Sequence, residues 1–156
     1  MNSYLHREDG DTNRDKNYPQ VEEGQRILLI DDDEEMGSLL MDVLGDDGYD
    51  VVQAANGAEA LILLHRETFA AILLDKNMPG LSGMDLLPGL RVICPDSPVI
   101  LITAFGDAHT AEEGTAKGAR GCLFKPFRLD DLRAMLRNAV GQESVAGVRG
   151  RQDVGS

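Results

Sequence analysis

The stretch Ile27-Leu28-Leu29-Ile30-Asp31-Asp32-Asp33-Glu34-Glu35 places five consecutive acids directly after an apolar run. A second apolar run ends the same way, Ala71-Ile72-Leu73-Leu74 and then Asp75. Carboxylates held close together repel one another and resist full ionisation. A fold that gathers them at one place calls for a cation there, and hard oxygen ligands suit Mg²⁺. That combination suggests chemistry on a phosphoryl group.

Working outward, short apolar runs alternate with helical patterns. Arg26–Ile30, Asp50–Ala54, Ala70–Leu74, Val99–Thr103 and Gly121–Phe124 read as strands, several of them apolar on both faces like buried parallel strands. Met36, Leu39, Leu40, Val43 and Leu44 form one stripe of an amphipathic helix, and Gly48 falls where a left-handed cap would end it. Asn56 and Glu59 have capping-box spacing, and Ser82 and Asp85 open a further helix. Pro88 would sit inside that helix and remove a backbone donor, so a kink or irregular turn is expected there. The last helix should bury Leu129, Leu132, Met135, Leu136 and Val140. The order βαβαβαβαβα implies an α/β fold, a doubly wound parallel sheet with helices on both faces and right-handed crossovers. Ligands of such sheets bind beyond the C-terminal strand ends. Asp31, Asp32, Asp75, Thr103 and Lys125 all fall at such ends.

The chain has 156 residues and a formal net charge of −12. Residues 25–140 form one domain holding 10 Lys/Arg and 19 Asp/Glu. A surface this acidic repels nucleic acid and anionic membrane. Residues 1–24 are poor in aliphatic side chains and read as a disordered arm without the apolar core of a signal peptide. Residues 141–156 read as a flexible tail. No apolar stretch reaches the ~20 residues that span a bilayer. Cys94 and Cys122 lack CxxC spacing and read as reduced thiols in a cytoplasmic protein. His6, His65 and His109 show no ligand spacing.

At the strand ends, an Asp75 carboxylate could attack phosphorus and hold an acyl phosphate. Asp32, Asp75, one backbone carbonyl and waters would satisfy Mg²⁺. Glu34 and Glu35 are better placed at a helix N-terminus, where the dipole favours them. Lys125, ending a buried strand opposite three acids, would pair with them and then with a phosphoryl oxygen. Thr103 offers a hydroxyl, and small Ala104 leaves room above it.

Four motifs in this order, Leu28-Leu29-Ile30-Asp31-Asp32-Asp33, Leu74-Asp75-Lys76-Asn77-Met78-Pro79-Gly80, Leu101-Ile102-Thr103-Ala104 and Phe124-Lys125-Pro126-Phe127, resemble the receiver domain of bacterial two-component response regulators over about residues 26–140. The resemblance implies a flavodoxin-like (βα)5 fold with strand order 2-1-3-4-5. It implies that Asp75 is the phosphoacceptor and that Asp32 ligates Mg²⁺, with Asp31 in the metal site directly or through water. It further implies that the Asn77 backbone carbonyl completes the coordination, that Thr103 is the switch hydroxyl and Lys125 the phosphate-binding lysine, and that the bond to Pro126 is cis. Asn77 and Phe105 match positions that tune loss of the phosphoryl group. The implied donor is a sensor histidine kinase or a histidine phosphotransfer protein, with small donors such as acetyl phosphate also used. An output protein, or a second copy meeting it through the fourth helix, fifth strand and fifth helix, would read the result. Arg128, Arg133 and Arg137, near Asp130 and Asp131, would lie on that face.

Cys122 departs from the family pattern, which usually has Tyr or Phe there. A thiol fills far less volume than the aromatic ring that normally moves with the threonine. The fourth helix is also unusual: its buried face should be mostly alanine, and Gly114 costs about 1 kcal/mol of helix stability relative to Ala, so a loosely held helix is expected.

Three other readings follow from the same residues. A phosphohydrolase with an Asp nucleophile after the first strand would need Thr or Val where Glu35 stands. A flavin carrier would need a phosphate loop, where five acids repel phosphate. A phosphorylation-independent adaptor would not need the complete acceptor set. Only 16 residues follow position 140, too few for a helix-turn-helix module, so a receiver without its own DNA-binding domain is expected.

Overall fold

The computed structural model describes residues 25–104 and 108–146. The expected N-terminal arm, the tuning residue Phe105 and positions 147–156 lie outside them. Five parallel strands, β1 (Arg26–Ile30), β2 (Asp50–Ala54), β3 (Ala71–Asp75), β4 (Val99–Thr103) and β5 (Gly121–Phe124), form one sheet in the order β2-β1-β3-β4-β5. Helices α1 (Glu34–Asp46), α2 (Gly57–Arg66), α3 (Gly83–Ile93), α4 (Ala108–Ala116) and α5 (Leu129–Ala146) alternate with them.

Because successive strand residues face opposite sides, the sheet sorts its apolar side chains into two cores. Leu28, Ile30, Ile72, Leu74 and Leu101 pack with Leu86, Leu87 and Leu90 of α3. Ile27, Leu29, Leu73, Ile100 and Ile102 pack with Leu40 and Leu44 of α1 and Leu132, Leu136 and Ala139 of α5. All residues of the central strands β3 and β4 are buried, whereas the edge strand β2 is mostly half-buried.

Local chemistry sets the helix ends. Asp33 caps α1 by accepting from the Glu35 and Met36 amides. Gly48, at φ 103°, closes it: Tyr49 N–H donates to the Leu44 carbonyl and Gly48 N–H to Gly45. Only a glycine adopts that backbone without strain. Asn56 and Ser82 cap α2 and α3 through their side-chain oxygens.

Several expectations need correction. Strand β3 begins one residue later than its hydropathy suggests and includes Asp75, whose backbone lies beside Ile102 whatever its side chain carries. Leu39 is 47% exposed, because α1 turns Gly37, Leu40 and Leu44 inward. Helix α3 runs unbroken through Pro88. Pro88 itself is exposed, so its ring lies on the solvent side of the helix while Leu86, Leu87 and Leu90 face the core. Among the described side chains of α4 the buried positions are Thr110 and Gly114, and Ala116 is exposed. A Cβ on Gly114 would lie 3.0 Å from Leu101 Cδ2, so glycine lets α4 settle closely onto β4. Helix α5 continues to Ala146, past position 140 where its end was expected.

This two-core arrangement predicts unequal costs of truncation. Leu73→Ala, at a fully buried site, should lower unfolding free energy by about 2–5 kcal/mol in urea titrations. Val92→Ala, at a site 81% exposed, should stay within about 0.5 kcal/mol.

Candidate functional site

The sheet's C-terminal edge gathers residues from four strands. Backbone bonds extend the ladder one step past the strands: Asp31 N–H donates to the Ala54 carbonyl, Lys76 N–H to Ile102 at 2.7 Å, and Lys125 N–H to Thr103 at 2.7 Å. Asp31, Asp75, Thr103 and Lys125 are therefore held by the sheet rather than by loop conformation.

Within this frame Asp31, Asp32 and Asp75 each present a carboxylate oxygen, all within 4.8 Å of one another. Asp31 and Asp75 are buried and Asp32 is exposed. Asp31 Oδ1 accepts from the Asp33 amide at 2.9 Å, and Asp75 Oδ1 from the Asn77 amide at 3.0 Å. Both aspartates thereby fold the following loop back onto themselves. The second Asp31 oxygen, Oδ2, is buried without a hydrogen-bond partner. Lys125 Nζ stands 3.9 Å from it, an ionic contact too long for a hydrogen bond. The Lys125–Pro126 peptide is cis.

Burial above all, together with the Asp75 carboxylate, pushes the Asp31 carboxyl up to about 6, against the Asp33 amide bond and Lys125, which pull it down. A wholly buried, unpartnered carboxylate oxygen beside two further acids fits a small divalent cation: all three donors are hard oxygens, and a cation would remove the repulsion that raises Asp31.

Asn77 links this cluster to β4. Its Oδ1 accepts from the Thr103 hydroxyl at 3.1 Å and from the Ala104 amide at 3.0 Å. Cys122, on β5, is half-buried against the core beneath, and burial raises its thiol pKa. Each sequence-derived site residue that is described therefore lies on this rim or directly under it.

Sequence reading missed Gly83. A Cβ there would fall 2.4 Å from the Asp75 carbonyl oxygen and 2.8 Å from Lys76 Cα, so α3 can start against the Asp75 loop only with glycine. Its amide donates to the Lys76 carbonyl at 3.0 Å. The only trace in the sequence is a poor helix former directly after the Ser82 cap.

The acid cluster makes a pH prediction for metal-free protein. A carboxyl with a raised folded-state pKa holds its proton more tightly when folded. Its contribution therefore worsens as pH rises from about 4 through 6 and stays unfavourable above. Asp31→Asn should be more stable than wild type by roughly 1–3 kcal/mol above pH 7 in chelator, the gap closing towards pH 4. Thermal unfolding of both proteins across this range measures it; a pH-independent gap would contradict the assignment.

Comparison with known proteins agrees with this geometry. Residues 27–137 match the response regulator receiver domain family. Sporulation initiation phosphotransferase F of Bacillus subtilis is 36% identical over 109 residues, covering 70% of this chain and 88% of that protein. Response regulator protein FleR of Pseudomonas aeruginosa is 38% identical over 121 residues, but this chain spans only 25% of its length. Among solved structures, a receiver domain protein from Clostridium thermocellum superimposes with TM-score 0.72 at 31% identity, covering 78% of this chain and 98% of that one. A Burkholderia pseudomallei response regulator, solved with a phosphorylated aspartic acid, calcium ion and citrate, gives TM-score 0.69 at 30% identity, covering 80% and 73%. The acid-lined rim, the parallel sheet and these matches together place the chain in the response regulator receiver family of two-component signalling.

Proposed function

We propose that Asp75 accepts a phosphoryl group from a phosphohistidine on a sensor histidine kinase or histidine phosphotransfer protein. The observation that carries this reading is the meeting of Asp31, Asp32 and Asp75 within 4.8 Å, with the Lys125 ammonium 3.9 Å from Asp31. Asp31, Asp32 and Asp75, with the Asn77 backbone carbonyl, would hold Mg²⁺. When bound, the ion supplies charge neutralisation for the phosphoryl oxygens.

In the transfer, an Asp75 carboxylate oxygen forms a bond to phosphorus as the phosphorus–nitrogen bond to the donor imidazole breaks. The electron pair stays on the imidazole nitrogen, which takes up a proton from water. Lys125 moves from Asp31 to a phosphoryl oxygen, a shift its long contact makes inexpensive. Thr103 can donate to the phosphoryl group only by leaving Asn77 Oδ1, so phosphorylation breaks one of the two hydrogen bonds by which Asn77 links the Asp75 loop to the end of β4. The aspartyl phosphate of the Burkholderia response regulator supports the same chemistry at Asp75.

The covalent chemistry stays on the protein's own aspartate, so the chain acts as a switch rather than as an enzyme on external substrates. The switched surface is α4, β5 and α5, which would meet an output protein or a second copy. Of the arginines expected there, Arg133 turns instead to the end of α1: its Nε donates to Asp47 Oδ2 at 2.8 Å and its Nη1 to Asp130 at 3.3 Å. Arg137 is exposed but lies near Tyr49, beyond the end of α1, which leaves the exposed Arg128 better suited to a partner on that surface. Cys122 stands in place of the usual aromatic, so the Thr103 movement must be passed on mainly through Ala104 and the start of α4. Among the described residues no helix is long and apolar enough to cross a membrane, and a cytoplasmic site of action fits a cytosolic phosphoryl donor.

Incubation with acetyl phosphate and Mg²⁺, followed by intact-mass measurement, tests the assignment. Wild type should gain one phosphoryl group, and Asp75→Asn and a chelator control should gain none. Label persisting in Asp75→Asn would move the acceptor elsewhere. Partner binding unchanged by that substitution would favour a phosphorylation-independent adaptor.

A further inference from the structure

Gln53 sits next to the last residue of β2, on the edge strand beside β1. Its Nε2 donates to the Asp31 carbonyl at 2.7 Å and to the Asp33 carbonyl at 3.2 Å. These two carbonyls bracket Asp32. The sheet ladder reaches only as far as Asp31, whose amide bonds Ala54. Beyond that point the loop is tied by the Asp33 amide on Asp31 Oδ1, by the Gly37 amide on the Asp33 carbonyl at 3.0 Å, and by the Gln53 carboxamide, which alone among the described residues joins the Asp31 and Asp33 carbonyls to β2.

A second residue is shaped to admit Gln53. A Cβ on Gly37 of α1 would fall 1.9 Å from Gln53 Oε1 and 2.4 Å from its Cδ. Any side chain at position 37 would thus occupy the carboxamide's place. Gly37 is buried on the inward face of α1 with Leu40 and Leu44, whereas Leu39 is 47% exposed.

We infer that Gln53 is a positioning residue for the acid loop, seated in a slot left open by Gly37, and that it sets the direction of the Asp32 carboxylate. The inference rests on the magnesium reading above. An amide NH₂ has two hydrogens to donate, one for each carbonyl, and bridging them from β2 fixes the curvature of the backbone between them. Asp32 is exposed and lacks the packing that holds Asp31 and Asp75, so its aim depends on that curvature. A loop that must first be ordered binds its ion more weakly, as with other groups that orient metal ligands.

Titration of the full chain with Mg²⁺ by calorimetry, with thermal unfolding alongside, tests this. Gln53→Ala should raise the Mg²⁺ dissociation constant by about tenfold. Gly37→Ala should do the same while leaving the melting temperature near wild type, because only the far end of a flexible side chain has to move. The double variant should be no worse than Gln53→Ala alone, since both changes remove one interaction. Unchanged Mg²⁺ affinity in Gln53→Ala, even with a lowered melting temperature, would overturn the inference and leave Gln53 a structural residue. Additive losses in the double variant would overturn it as well. Should Gln53→Ala not fold, Gly37→Ala alone decides, and unchanged affinity there overturns it. A wild type that takes up no Mg²⁺ would instead remove the magnesium reading, and this inference with it.

Discussion

A carboxylate without access to water and without a hydrogen-bond donor for one of its oxygens is expensive to keep charged. Asp31 is in that position, fully buried at the end of β1 with Asp75 beside it. The nearest ammonium, that of Lys125, is held just short of a close ion pair. The repulsion persists because two apolar cores lock the strands in register, and the strand ends have no freedom to splay. Stability gathered over the sheet is thus concentrated on a few polar groups at its edge.

The frame and the site are coupled at identifiable points. Gly83 lets α3 abut the Asp75 carbonyl, and Gly114 lets α4 settle onto Leu101. Asn77 ties the Asp75 loop to both Thr103 and Ala104, so a change at Asp75 reaches the end of β4 through two hydrogen bonds. Helix α4 is short, and among its described residues the buried positions are filled by Thr110 and Gly114 rather than large apolar side chains. Little apolar burial opposes its displacement, which suits the element next to the switch hydroxyl.

Much of the fold was legible because strands apolar on both faces leave a strong signature, and four of the five matched their observed bounds. Residues at strand ends were legible for the same reason: once the order of parallel strands is known, their C-terminal ends must share one rim. Close approaches were not legible. The fit of Gly37 to Gln53 joins residues 16 apart, and hydropathy counting passes over glycine, so it set Leu39 inside when α1 had turned. Pro88 misled because one missing backbone donor does not stop a helix whose other residues pack well: α3 runs through it, with Met84, Leu86, Leu87 and Leu90 buried. Cys122 shows an altered residue in the sequence, but the space it occupies depends on β5 packing against the core.

The most direct measurement is a crystal structure of the chain with Mg²⁺ and beryllofluoride. An ion shared by Asp31, Asp32 and Asp75, beryllofluoride on the Asp75 carboxylate, Lys125 against it and Thr103 released from Asn77 is the expected result. An empty crevice, with the three aspartates too far apart to share an ion, would contradict it.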